Sequence, residues 1–139
     1  MWQMGSLGPM LGQARHFLQY NPGKSEYAER RYGTEAARLY GVLDMRLSGR
    51  NYLAGSGRGT YTIAGMAVWS WVYRFEWQHI DLNAYPQVYQ SYTRIAARPA
   101  VQTGYQVLHY STRYQALKNT LETGLCKFCG ESAGQHEVK

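Results

Sequence analysis

From Ser25 to Arg50 the apolar side chains fall at Ala28, Tyr32, Ala36, Leu39, Leu43 and Leu47, in steps of four and three. That spacing returns each side chain to one face of an α-helix and contradicts the alternation of a strand, so the run predicts one long amphipathic helix. Its ends carry the expected signals. Ser25 follows Pro22 and Gly23 and can accept from the unpaired N–H groups of a first turn, while Gly49 suits the stop.

The rest of the chain repeats the helical period. The segment "TIAGMAVWSWVYRFEW" from Thr62 carries Ile63, Ala64, Ala67, Val68, Trp71, Val72 and Phe75 around most of a helical circumference, which predicts a central helix. Pro86 sits at a first-turn position of the next, whose Val88, Tyr92 and Ile95 share a stripe ended by Arg98-Pro99. A final helix is expected from Ala100 to about Leu121, with Val101, Tyr105 and Leu108 on one stripe and Tyr110, Tyr114, Leu117 and Leu121 on a shifted one. The loops are "YNPGK", the glycine-rich "NYLAGSGRGTY" and "QHIDLNAY". With no β-alternation of useful length and no internal repeat, the fold class is all-α, a bundle of about five or six helices. The chain's 139 residues suit one domain, placed at 1–121, followed by a polar irregular tail at 122–139. One stretch resists the helical reading: "GPMLGQARHF", Gly8 to Phe17, puts two glycines and a proline where a break in the helix is expected.

Charge and cysteine usage narrow the function classes. The formal net charge of +6 is spread along the chain and partnered by acids, as in Glu26/Arg30 and Glu35/Arg38. This describes a solvated helix surface and not a track for phosphates, so no nucleic-acid partner is expected. The 14% of aromatic residues follow helical core spacing. No run approaches the ~20 apolar residues of a membrane span and no secretory leader is visible, so no membrane is expected and the localisation is read as cytoplasmic. Cys126 and Cys129, with His136 beyond them, make a Cys-x-x-Cys pair one ligand short of a structural zinc site and outside a strand-to-helix setting, so no metal site is assigned.

In order along the chain, "MWQMGSLGPMLGQARHF", "YAERRYGTEAARLYGVLDMRL", "YLAG", "YTIAGMAVWSWV" and "RIAARPAV" resemble the C-terminal helical domain of glutathione S-transferases. The likeness is to the nu-class bacterial enzymes with disulfide-bond reductase activity and to fungal relatives that include a nitrogen-regulatory protein. It covers residues 1 to about 105. The resemblance implies that the chain begins inside the first helix of the second domain and lacks the N-terminal thioredoxin-like domain, which in the family binds most of the glutathione and stabilises its thiolate. No residue here is therefore expected to be catalytic.

What the resemblance implies for individual residues is narrower. Arg31 in "YAERRY" matches the arginine that reaches glutathione in the nu class, and a guanidinium fork suits the peptide's carboxylates. Tyr27 flanks it, as does Tyr32, and Gln3 lies on the helix beside the dimer interface and the acceptor cleft, where the family's helix bends at Gly-Pro-Met. Arg31, Tyr27 and Gln3 are the implied substrate-binding residues. Thr62 keeps the family's cap of the central helix, but Gly65 stands where the family has Asp, so the reciprocal capping bond is lost. The implied function is the acceptor-binding half of a glutathione-dependent transferase or disulfide-bond reductase. Glutathione would be cosubstrate, the acceptor a small electrophile or disulfide, and the full-length form a homodimer. The alternative is a non-catalytic helical module for dimerisation or regulation.

Overall fold

The computed structural model describes residues 1–106. It falls into two compact units, Met1–Tyr92 and Thr93–Lys139, the second described as far as residue 106. The helices are α1 (Gly8–Arg15), α2 (Glu26–Leu47), α3 (Ile63–Val72), α4 (Pro86–Ala96) and α5 (Pro99–Gln106). Among the described residues the extended pairing is one isolated antiparallel bridge, Ala54 to Thr60, so the fold is all-α. The expected last helix is described only as α5. Its continuation to Leu121 and the Cys126, Cys129 and His136 tail lie outside the described residues.

The long helix forms as its spacing requires. Ser25 is the N-cap, its hydroxyl accepting from Ala28 N–H at 3.3 Å, and Ala28, Ala36, Leu39, Tyr40, Leu43 and Leu47 are buried. Gly49 follows the helix with a φ of 68°, in the left-handed region that glycine enters without strain. Leu39, Leu43 and Leu47 are each at most 2% exposed, worth roughly 1.5–3 kcal/mol apiece against leaving them in water. α1 packs on α2, and its Leu11 and Ala14, with Leu7 just before it, are fully buried and spaced for one helical face.

The expected break at Gly8-Pro9 does not occur. The chain stays helical from the π-turn Gln3–Leu7 through α1 into a second π-turn, His16–Tyr20. Proline deletes the N–H of residue 9, and its ring would press on the carbonyl one turn back. The preceding turn widens instead, so that Gly8 N–H donates to Gln3 O, five residues back, and Pro9 falls within the first turn of α1. The glycines serve packing. A Cβ at Gly8 would lie 3.1 Å from Trp71 Nε1, and one at Gly12 would lie 3.4 Å from the indole's far edge, so the two form a flat shelf for Trp71 of α3.

Two readings of α3 need correction. Val68, Trp69 and Val72 are buried, but Ile63 is 80% exposed and Met66 49%, so the helix is open on one side and not enclosed all round. Thr62 stands at the N-cap without a side-chain capping bond, and its buried hydroxyl has no partner; its carbonyl accepts from Gly65 N–H at 2.9 Å and Met66 N–H at 3.2 Å.

Buried polar groups join the elements across sequence. Tyr40 Oη donates to Gln78 Oε1 at 2.8 Å, and Gln78 Nε2 donates to Trp71 O at 3.0 Å, which satisfies a carbonyl at the end of α3. α4 opens with Tyr85-Pro86 and has no capping side chain of its own. Asp44, from α2, accepts from Gln87 N–H at 2.8 Å and Val88 N–H at 3.0 Å and caps it from another helix. The loop after α2 is closed by Arg46, whose guanidinium donates twice to Leu53 O, and by Arg50, which donates to Tyr52 O and Gly55 O.

Candidate functional site

Tyr27 and Arg31 stand one turn apart on α2, on the side away from its buried stripe, and both are exposed. Arg31 Nη1 donates to Tyr27 Oη at 3.5 Å, the long limit of a hydrogen bond. The start of α2 that carries them is anchored twice, by the Ser25 cap and by Tyr32, whose ring stacks on Phe17 with centroids 5.6 Å apart and planes at 8°.

The acids nearest Arg31 in sequence are committed elsewhere. Glu29 Oε1 accepts from Gly23 N–H at 2.6 Å, bracing the loop before α2. Glu35 is gripped side-on by Arg38, with Nε and Nη2 each 2.7 Å from a carboxylate oxygen. That paired hydrogen bond holds the Glu35 carboxyl below its ordinary value, against a small opposing effect of burial and with a weaker assist from the charges of Arg38 and Arg31. Arg31 has no ion pair among the described residues, and its bond to Tyr27 uses one of its five donors.

Gln3 is not brought to this pair by any contact. Its Nε2 donates to Ala67 O at 3.3 Å and ties the first π-turn to α3. Of the three sequence-implied binding residues, the structure joins Tyr27 and Arg31 and gives Gln3 a bridging position between helices. A guanidinium fork beside a phenol can hold a carboxylate. No cysteine occurs among the described residues, and no three His, Cys, Asp or Glu side chains there gather as metal ligands. No described helix is long and apolar enough to cross a membrane.

A second cluster went unread in the sequence. The Arg15 guanidinium carbon lies 5.3 Å from the centroid of Tyr20 and 5.6 Å from that of Trp77, and Arg74 lies 4.7 Å from Trp77. Tyr20 and Trp77 meet edge to face at 6.1 Å. Five residues span about 1.4 turns of an α-helix, which would set Arg15 and Tyr20 on different sides. The π-turn His16–Tyr20 adds a residue to the turn and swings Tyr20 back beneath Arg15.

No family model matches the chain. Disulfide-bond oxidoreductase YfcG of Escherichia coli K12 is 46% identical over 99 residues, 71% of this chain and 45% of that protein. Among solved structures, a glutathione transferase from Pseudomonas putida, with one glutathione disulfide bound per subunit, matches with a TM-score of 0.69 and 34% identity over 77% of this chain and 48% of that one. Ure2p in complex with glutathione matches with a TM-score of 0.63 and 31% identity, over 72% of this chain and 49% of its own. The chain thus spans about half the length of these relatives. By sequence and by its all-helical fold, it belongs to the glutathione S-transferase family and corresponds to that family's C-terminal-type helical domain.

Proposed function

We propose that the chain is the acceptor-binding half of a glutathione-dependent transferase or disulfide-bond reductase, completed by a thioredoxin-like domain, with Arg31 as its contact to a glutathione carboxylate and Tyr27 beside it. The observation that carries this is the state of Arg31: exposed, without a carboxylate partner, and flanked by Glu29 and Glu35 that are each held by another group. Glutathione acts as cosubstrate, as the complexes of the Pseudomonas putida enzyme and of Ure2p support. The thiolate is stabilised by the other domain, so this chain contributes binding and the shape of the acceptor cleft, for a small electrophile or a disulfide. On this reading the protein acts in the cytoplasm as a homodimer. Met4, Ile63 and Met66, exposed around the Gln3–Ala67 bond, are apolar surface for the completing domain or second subunit to cover.

The test fuses a family thioredoxin-like domain and its connecting helical turns ahead of Met1. Arg31→Ala should weaken glutathione about ten-fold to a hundred-fold, the worth of a charge-assisted bond of about 1.5–3 kcal/mol, less whatever solvent screens. Arg30→Ala, rotated by about 100° on the helix, should leave affinity alone. Equal effects from the two, or none from Arg31, would refute the assignment. Glutathione-dependent turnover by the isolated chain would refute the division of labour between the domains.

A further inference from the structure

Arg31 has a neighbour on its own helix that is placed to pair with it and does not. At 100° per residue, Tyr27, Arg31, Glu35 and Arg38 fall within about 80° of one another around α2, so the four share one side of the helix. Residues four apart are neighbours there, and helical side chains lean toward the N-terminus: Arg31 reaches back to Tyr27, and Glu35 leans toward Arg31. Opposite charges at this spacing attract, and the Arg31 charge is felt at the Glu35 carboxyl. The ion pair that forms is nonetheless Glu35 with Arg38.

Arg38 takes both carboxylate oxygens at once, Nε on one and Nη2 on the other. A two-point grip fixes the plane of the carboxylate, where a single charge contact would let it swing. The Arg38 side chain is 58% exposed, and among the described residues it hydrogen-bonds to Glu35 alone, so its effect falls on that carboxylate and on what the carboxylate would otherwise meet. We propose that Arg38 is a positioning residue for the glutathione contact: by occupying Glu35 it keeps the Arg31 guanidinium open to the ligand's carboxylate. The inference rests on the assignment of Arg31 above. Without Arg38, Glu35 turns toward the N-terminus and pairs with Arg31, competing for the same donors and setting a second negative charge beside the ligand's own.

The experiment has two arms. In the full chain, ¹³C-labelled, the Glu35 carboxyl signal is followed through its titration by NMR. With Arg38 present, Arg31→Ala should raise the Glu35 midpoint only slightly; in an Arg38→Gln background the same change should raise it at least twice as far, because Arg31 has become the partner. Equal shifts in the two backgrounds would overturn the inference whatever glutathione does. In the fused protein with glutathione as the probe, Arg38→Gln should weaken binding about two-fold, the worth of one exposed i,i+4 pair. Adding Glu35→Gln should restore the parental affinity, and Arg38→Gln on top of Arg31→Ala should cost nothing further. Arg30→Ala, which removes the same charge from the helix, should leave affinity alone and so controls for the loss of charge itself. A loss that Glu35→Gln does not rescue would overturn the inference. So would Arg38→Gln without effect where Arg31→Ala weakens glutathione, an outcome that leaves the Arg31 assignment standing; Arg31→Ala without effect refutes that assignment and this inference with it.

Discussion

The glycine shelf beneath Trp71 makes a prediction with opposite signs at two neighbouring positions. Alanine in place of glycine inside a helix gains about 1 kcal/mol through the backbone entropy glycine loses on folding. At Gly41, where a Cβ would meet nothing within 4 Å, that gain should appear almost whole. At Gly12 the nearest atoms, Trp71 Cη2 and Cζ3, would be 3.4 and 3.5 Å away, ordinary contact, so the gain should survive. At Gly8 the new methyl would stand 3.1 Å from Trp71 Nε1, 3.3 Å from Cε2 and 3.4 Å from Gln3 O. The indole cannot yield without losing its own packing, and overpacking of this kind costs about 1–3 kcal/mol, which cancels or exceeds the helical gain. Urea unfolding at constant m-value should therefore give stabilisations of about 0.5–1 kcal/mol for Gly41→Ala and Gly12→Ala and a loss of about 0–2 kcal/mol for Gly8→Ala. The cause is checked by a cycle with Trp71→Phe, which removes the pyrrole edge: in that background Gly8→Ala should turn neutral or stabilising. A Gly8→Ala variant as stable as Gly12→Ala, or one whose cost is the same with phenylalanine at 71, would refute the shelf.

Asp44→Ala should lower stability by about 1–2 kcal/mol by uncapping α4, while Asp44→Asn keeps most of it; equal urea midpoints for the two would deny Asp44 its capping role. Burial, with a further push from the Tyr85 and Tyr92 phenols, raises the Tyr40 phenol well above its ordinary value of 10.0. The folded chain then keeps a proton that the unfolded chain releases, so stability should fall as pH rises through about 10, by up to about 1.4 kcal/mol per pH unit, and Tyr40→Phe should flatten that slope while costing about 1–3 kcal/mol at neutral pH through the orphaned Gln78. Gly65→Asp should add about 0.5–2 kcal/mol by supplying a capping carboxylate at the start of α3, where Thr62 makes no side-chain cap; an unchanged thermal midpoint would show that this buried glycine is held by packing.

What the sequence made legible follows from locality. The α2 stripe, its Ser25 cap, its Gly49 stop and the opening of α4 at Pro86 are each written within one or two turns of chain, where side-chain spacing and backbone preference act directly. Tyr27 and Arg31 stand four residues apart on one helix, but the family resemblance and not their spacing singled them out. The Asp44 cap was not, because its partners lie 43 and 44 residues away; the available signal was negative, an α4 that begins Tyr85-Pro86 with no capping side chain before it.

The first helix shows a subtler failure. Periodicity assumes a constant angle per residue, under which Pro9 reads only as a breaker of that regularity. The chain has a third option between continuing and stopping: it adds a residue to a turn, keeps its hydrogen bonds at the longer i−5 spacing, and goes on helical with its register rotated. That rotation is silent in composition and hydropathy, yet it decides which side chains meet. Read at 100° per residue, Arg15 and Tyr20 belong to different surfaces and neither has a partner worth naming. With the second widened turn at His16–Tyr20 they share one, and the Arg15 guanidinium lies against Tyr20 and against Trp77 from the short turn after α3. The glycines and proline that raised the question of shape thus mark the first adjustment of register, and the second, at His16–Tyr20, brings together side chains that linear spacing sets apart.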